Sequence, residues 1–295
     1  MNSTAQPIVA IIGAGEMGAA VGRRLMIRGA RVVTSLQGRS RDSAARVSRA
    51  GLEVIDDDAE LVRDADFVLS IVPPAAALEV AERLQPALAR SRSRPIFADC
   101  NAIAPATAVR AGERLAGCRY VDAGIIGGPP PEQIDSPGPR FYASGPFARE
   151  FAALGGFGLD IAVLDGPIGA ASALKLSYAG LTKGIIALGS AMVGAAARAG
   201  LADALSAELA RTQPQILARL ARGIPAMFPK AHRWVAEMEE IAAFIGGGDR
   251  GADTYRGIAR IYERIARERS DRDAPGDIQA LLDFCARAAT SAREK

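Results

Sequence analysis

The chain has 295 residues, 36 Lys or Arg against 33 Asp or Glu for a formal net charge of +3, and 49% hydrophobic residues. That length accommodates two domains of ordinary size, and so small and dispersed a charge excludes the basic surface that nucleic acid or an anionic membrane requires. Three scattered cysteines (Cys100, Cys118, Cys285) lack Cys-x-x-Cys spacing and exclude a disulfide framework or a zinc site, so no metal and a reducing cytoplasm are expected; the short polar stretch from Met1 to Pro7 carries no secretion pattern.

The first predicted element is a strand over residues 8–12. It runs into Gly13-Ala14-Gly15-Glu16-Met17-Gly18, and a patterned apolar helix follows from Ala19. The spacing Gly-x-Gly-x-x-Gly is weak evidence alone, but between a buried strand and a helix start it fits a dinucleotide site. Gly13 makes the turn, Gly15 lets backbone N–H groups approach a pyrophosphate at the helix end, and Gly18 lets helix and strand pack closely; Glu16 and Met17 belong to the same cofactor turn. The second strand, 30–36, decides which dinucleotide. An NAD site places Asp or Glu after it to accept from the ribose 2′-OH. Here the sequence reads Gln37-Gly38-Arg39-Ser40-Arg41. Two guanidinium groups and a hydroxyl suit a 2′-phosphate, so NADP is expected, held by Arg39, Ser40 and Arg41.

Further strands are predicted near 53–55, 66–71 and 95–98, with a helix over 75–88. Val72 and Pro73, which follow the fourth strand, are counted with the cofactor site. Strands at 119–126 and 140–144 flank a Pro-rich loop from Gly127 to Pro139, and a last one lies near 160–164. Alternating strands and helices imply an α/β, Rossmann-type doubly wound and mostly parallel sheet over residues 1–166. Beyond Gly166 the pattern is helical, with turns expected at Gly200, Gly223-Ile224-Pro225 and Gly246-Gly247-Gly248, so residues 167–295 read as an all-helical substrate and dimerisation domain. The apolar stretch 184–197 falls short of the roughly 20 residues of a bilayer span and reads as buried helix.

Hydride exchange with a nicotinamide needs a group that gives or takes a proton at the substrate oxygen. Only four of the 36 basic residues are lysines. Burial can lower a lysine pKa enough for proton transfer, which arginine resists. Lys175 falls in the first turns of the helix opening the second domain, where a cleft between domains is expected. Lys175, Tyr178 and Thr182 share one helical face. His232, the only histidine, reads as a packing or surface group.

Together these motifs resemble the β-hydroxyacid dehydrogenase superfamily, which includes 3-hydroxyisobutyrate and 6-phosphogluconate dehydrogenases, and within it the branch with a DUF1932 carboxy-terminal domain. Besides the 13–18 turn, Asp99-Cys100-Asn101-Ala102-Ile103-Ala104-Pro105 is similar to the family's Asp-x-Ser-Thr-x-x-Pro loop beside the nicotinamide, with Asn101 where Ser is usual. Asp122-Ala123-Gly124-Ile125-Ile126-Gly127-Gly128 looks like its substrate loop, and Lys175 stands where the family has its catalytic lysine. Arg233-Trp234 with Glu237-Met238-Glu239-Glu240-Ile241-Ala242 looks like the DUF1932 pattern.

The resemblance implies an oxidoreductase with Lys175 as general acid/base, Asn101, Ile126, Gly127 and Gly128 at the substrate, Asn101 also at the cofactor, and a homodimer. Two departures matter: the family's substrate-loop Ser is here Ile126, and its helix Asn is here Ala179. Each lost polar contact is commonly worth about 1.5–3 kcal/mol where charge is involved. A substrate larger or less polar than 3-hydroxyisobutyrate is expected, with Tyr178 as replacement donor. Imine reduction, or NADPH binding without turnover, are the alternatives.

Overall fold

A computed structural model of the chain describes residues 6–133, 135–246, 248, 250–270 and 277–291. The chain falls into two compact units, one ending at Leu176 and one beginning at Ser177.

The first unit alternates strand and helix: β1 (Ile8–Ile12), α1 (Glu16–Ile27), β2 (Arg31–Thr34), α2 (Arg41–Ala50), β3 (Glu53–Val54), α3 (Asp58–Arg63), β4 (Phe67–Ser70), α4 (Ala77–Arg90), β5 (Ile96–Asp99), α5 (Pro105–Arg114), β6 (Arg119–Ile126), β7 (Arg140–Ser144), α6 (Ala148–Phe151) and β8 (Asp160–Val163). The eight strands form one sheet in the order β3-β2-β1-β4-β5-β6-β7-β8. Every pairing is parallel except β6 with β7. The hydrophobic run of β1 feeds both faces. Val9 and Ile11 join a core with Val21 and Leu25 of α1, Val47 of α2 and Phe151 of α6, whereas Ala10 and Ile12 join one with Leu61 of α3 and Leu84 of α4. A central strand buried on both sides leaves no room for polar alternation. The predicted helix over 75–88 starts instead as a 3₁₀ turn at Pro74–Ala76, since Pro74 has the fixed φ but lacks the N–H of a regular helix interior.

The strand order reverses between β1 and β4, the place where open α/β sheets bind ligands at the carboxyl ends of their strands. The chain leaves β1 there through the glycine turn, β4 through Val72 and Pro73, and β5 through Asn101. Three sequence motifs therefore meet at one edge.

α7 (Ala170–Arg198) runs across the division between the units, and the second unit continues with α8 (Ala202–Thr212), α9 (Pro214–Met227), α10 (Ala231–Ile245), α11 (Arg250–Ser270) and α12 (Asp277–Ser291), with no strand among its described residues. Gly200 and Gly246 lie just past α7 and α10, both at positive φ; Gly247 and Asp249 lie outside the described residues.

Two expectations are corrected. Gly223-Ile224-Pro225 is not a turn but the interior of α9. A β-carbon at Gly223 would lie 2.2 Å from Ile186 Cδ1, so this glycine serves close helix packing, and Pro225 sits inside α9 without a backbone donor for the preceding turn. Residues 184–197 are buried on one side only. Ile186, Ala187 and Val193 are buried, but Leu188 is 53% and Met192 63% exposed. Small apolar residues suit close helix packing, and here they pack on one face while the large apolar side chains of the other face stay exposed.

Candidate active site

The glycine turn shows why each glycine is needed. Gly13 adopts φ +91, and a β-carbon there would sit 2.4 Å from the Ile71 carbonyl oxygen. At Gly18 it would sit 2.3 Å from the Gly13 carbonyl oxygen, so the start of α1 would be pushed off β1. At Gly15 nothing lies within 4 Å. The first two positions are closed by protein and the third faces open space. The first bond within α1 runs from Ala19 N–H to Gly15 O, so the Met17 and Gly18 amides point out of the helix end. An open backbone surface at a positive helix terminus fits a pyrophosphate.

Arg39 and Arg41 are exposed beyond β2, and among the described residues no carboxylate pairs with either. Ser40 caps α2 by accepting from Ser43 N at 3.3 Å, which fixes the flanking arginines at the helix entry. Asp56, which the sequence reading passed over, closes the end of β2 by accepting from Leu36 N at 2.9 Å.

A row of polar residues crosses four neighbouring strands in register. Ser70 pairs with Asp99, Asp99 with Asp122, and Asp122 with Ser144. All four are at most 2% exposed. Asn101 extends the row into the loop after β5: its Oδ1 accepts from Val72 N at 2.6 Å, its Nδ2 donates to Ser70 Oγ at 3.1 Å, and its own N–H donates to Asp99 Oδ1 at 3.1 Å. Asn101 is thus a buried clasp between the loops after β4 and β5. Val72 is buried against Gly13 and Pro73 is exposed.

Asp122 holds α7 from below. Its Oδ2 accepts from Gly169 N at 2.9 Å, Ser172 N at 3.0 Å and Ser144 Oγ at 3.1 Å, and its Oδ1 from Ser172 Oγ at 2.6 Å. A carboxylate receiving first-turn amides does the work of an N-cap supplied by another element. Gly124 permits the approach, since a β-carbon there would lie 2.9 Å from Ala171 O and 3.0 Å from Lys175 Cβ.

Lys175 is therefore fixed above β6. It is half-buried, and its Nζ donates to the Cys100 carbonyl at 3.4 Å. Burial lowers its pKa to about 8 against an opposing pull from Asp99 and Asp122. Burial likewise pushes Asp99 up to about 6, with Asp122 adding to the rise. Asp99 Oδ2 and the Tyr120 hydroxyl are buried without a hydrogen-bond partner. Burial pushes the Cys100 thiol up, so it stays neutral. An amine poised near neutrality can both donate and accept a proton.

Ile126 is the last residue of β6 and half-buried, and Gly127 and Gly128 follow it exposed at the start of the Pro-rich loop. Tyr178, one turn beyond Lys175 on α7, is 51% exposed. Thr182 returns its hydroxyl to the Tyr178 carbonyl at 2.9 Å. His232 is exposed. Among the described residues no group of His, Cys, Asp and Glu could hold a metal.

Comparison with known proteins bears on this arrangement. A family model for the NAD binding domain of 6-phosphogluconate dehydrogenase matches residues 8–138, and one for DUF1932, a domain of unknown function, matches residues 196–265. A solved conserved protein of unknown function, reported as structurally similar to 3-hydroxyacid dehydrogenases, is 30% identical, with 89% of this chain and 98% of that one covered and a TM-score of 0.64. An uncharacterized 28.5 kDa protein of Methanothermus fervidus is 28% identical over 215 residues, 72% of this chain and 81% of its own. The 3-hydroxyisobutyrate dehydrogenase of Mycobacterium tuberculosis shares the fold at 20% identity and TM-score 0.66, with 97% and 99% covered.

Proposed function

The chain belongs to the β-hydroxyacid dehydrogenase superfamily of oxidoreductases, with a nicotinamide-dinucleotide-binding amino-terminal domain and a DUF1932 carboxy-terminal one, and from that membership we propose that it is an NADP-dependent enzyme interconverting an alcohol and a carbonyl compound. When bound, the nicotinamide supplies or takes the hydride. The backbone amides at Met17 and Gly18 hold the pyrophosphate beside the open position at Gly15, and Arg39 and Arg41 hold the 2′-phosphate with Ser40 setting their helix entry. Lys175 is the general acid/base. In reduction the carbonyl carbon gains the hydride and the Lys175 ammonium gives one proton to the oxygen, leaving a neutral amine; oxidation reverses both transfers.

The observation that carries this reading is the half-buried Lys175 amine, held at 3.4 Å from the Cys100 carbonyl with a pKa near 8. Gly127 and Gly128 offer N–H groups to the substrate, Tyr178 a hydroxyl, and Ile126 an apolar wall where the family has Ser. That wall supports a substrate larger or less polar than 3-hydroxyisobutyrate. Asn101 sets the loop whose Cys100 carbonyl anchors the lysine. The chain works as a homodimer: Tyr178, Leu181, Ile185, Leu188 and Met192 are all at least 40% exposed and recur every three or four residues of α7, an apolar stripe of the kind a second copy covers.

A panel of β-hydroxyacids, ketones and cyclic imines, assayed with NADPH or NADP and with NADH or NAD, tests the proposal. Turnover of a ketone or hydroxyacid with a lower KM for the phosphorylated cofactor supports it. Preference for NADH overturns the cofactor assignment, imine-only turnover makes the protein an imine reductase, and NADPH binding without turnover makes it a sensor.

A further inference from the structure

Arg24 lies on α1, nine residues past the N-cap Gly15, and is only 7% exposed. No carboxylate pairs with it among the described residues. Its Nη2 instead faces three backbone carbonyls of the loop between β6 and β7: Pro131 at 3.3 Å, Gln133 at 3.4 Å and Ser136 at 3.1 Å. Arg23 adds a bond to the Glu132 carbonyl at 3.2 Å, and Arg28 an exposed pair with Asp135 at 3.4 Å. The loop also folds on itself. A β-carbon at Gly127, which has φ +129, would lie 2.9 Å from Pro139 Cα, and one at Gly138 would lie 3.9 Å from Pro130 and 4.0 Å from Arg24 Nη1.

A buried cation is costly to hold without a counter-charge. Here the converging carbonyl dipoles offset that cost, and a single guanidinium nitrogen faces all three of them. The carbonyls belong to a stretch without regular secondary structure, which has no ladder of its own to satisfy them. One end of α1 is the glycine turn and the other grips the loop that begins at Gly127 and Gly128.

We propose that Arg24 is a positioning residue that straps the β6–β7 loop to the cofactor helix, so that Ile126, Gly127 and Gly128 are held in register with the dinucleotide turn. The proposal rests on the functional reading above, in which those residues face the substrate. Arg24 itself touches neither cofactor nor substrate; it restricts the loop. Without it the loop opens, substrate is bound by a less ordered wall, and the glycine turn, built by β1 and the first turn of α1, is undisturbed.

The test compares the wild type with Arg24→Met, which keeps the apolar stem, and Arg24→Lys, which keeps the charge but not the fork. Three quantities are measured: amide hydrogen exchange at Glu132, Gln133, Asp135 and Ser136, the Kd for NADPH, and KM and kcat with NADPH and whichever compound of the panel is turned over. In Arg24→Met, exchange in the loop rises about tenfold or more and KM rises about tenfold, while kcat and the NADPH Kd stay within about twofold; Arg24→Lys falls between. Unchanged exchange overturns the strap, and an NADPH Kd that worsens in step with KM reduces Arg24 to a structural support of α1. Should Arg24→Met not fold, the same readings on Arg24→Lys decide. If the wild type turns over nothing in the panel, the functional reading fails, and exchange with NADPH affinity still decides whether Arg24 holds the loop.

Discussion

Replacing Lys175 by Met is expected to make the protein more stable at neutral pH. The amine's pKa falls from 10.5 to about 8 on burial, and that drop corresponds to about 3 kcal/mol of lost stability wherever the amine is charged in both states. The value of 8 already includes the attraction of Asp99 and Asp122 for the charged form, so the cost is a net one. Met fills a similar volume without a charge. It leaves the Cys100 carbonyl without its donor, a loss of about 1 kcal/mol. The net gain is about 2 kcal/mol at pH 7, or about 4–8 °C in Tm for a unit of this size. Its pH dependence has a definite sign. Between pH 8 and 10.5 the unfolded chain binds more protons than the folded one, so wild-type stability rises with pH across that window and the variant's advantage disappears. Thermal melts of both proteins from pH 7 to 10.5 read this directly. A variant no more stable at pH 7, with a gap to wild type that does not change with pH, refutes the buried-amine argument.

Other consequences can be read from single substitutions. Asp122→Ala removes the acceptor of four hydrogen bonds, three of them from the foot of α7, and should cost about 3–5 kcal/mol in denaturant unfolding; a loss under about 1 kcal/mol contradicts the capping role. Arg39→Ala and Arg41→Ala should each raise KM for NADPH by about 10–100-fold with KM for NADH nearly unchanged, and equal effects on both cofactors exclude 2′-phosphate recognition. Gly18→Ala brings a methyl to 2.3 Å from the Gly13 carbonyl, so NADPH affinity and thermal stability should fall together; wild-type affinity in that variant would mean the turn is not the pyrophosphate cradle.

Much of the first unit was legible in the sequence because its information is local. The strands announce themselves as short apolar runs, and the glycine turn carries its own explanation in three positions. The sheet register does not. Ser70, Asp99, Asp122 and Ser144 come from four separate strands, and only their pairing turns them into one buried row. Asp99 and Asp122 were visible as members of two motifs, but nothing in either motif says that they are neighbours. Gly124 was passed over for the same reason, since its value lies in what it lets α7 do.

In the helical unit, Gly223 beside Pro225 mimics a turn because a glycine that breaks helices in solution also permits close approach when a neighbour such as Ile186 demands it. The outward face of α7 was misjudged because burial is a property of what surrounds a helix, and apolar composition alone cannot report it. Arg24 sits beside Arg23 on α1, and in the sequence nothing separates it from a solvated cation.

The most direct test of the central claim is the rate of NADPH oxidation under single-turnover conditions by wild type and Lys175→Met, using the compound that the panel identifies. The account predicts a fall of about 100-fold or more with an unchanged Kd for NADPH, and in the wild type a reduction rate that declines as pH rises through about 8. A variant that reduces the compound at the wild-type rate contradicts it.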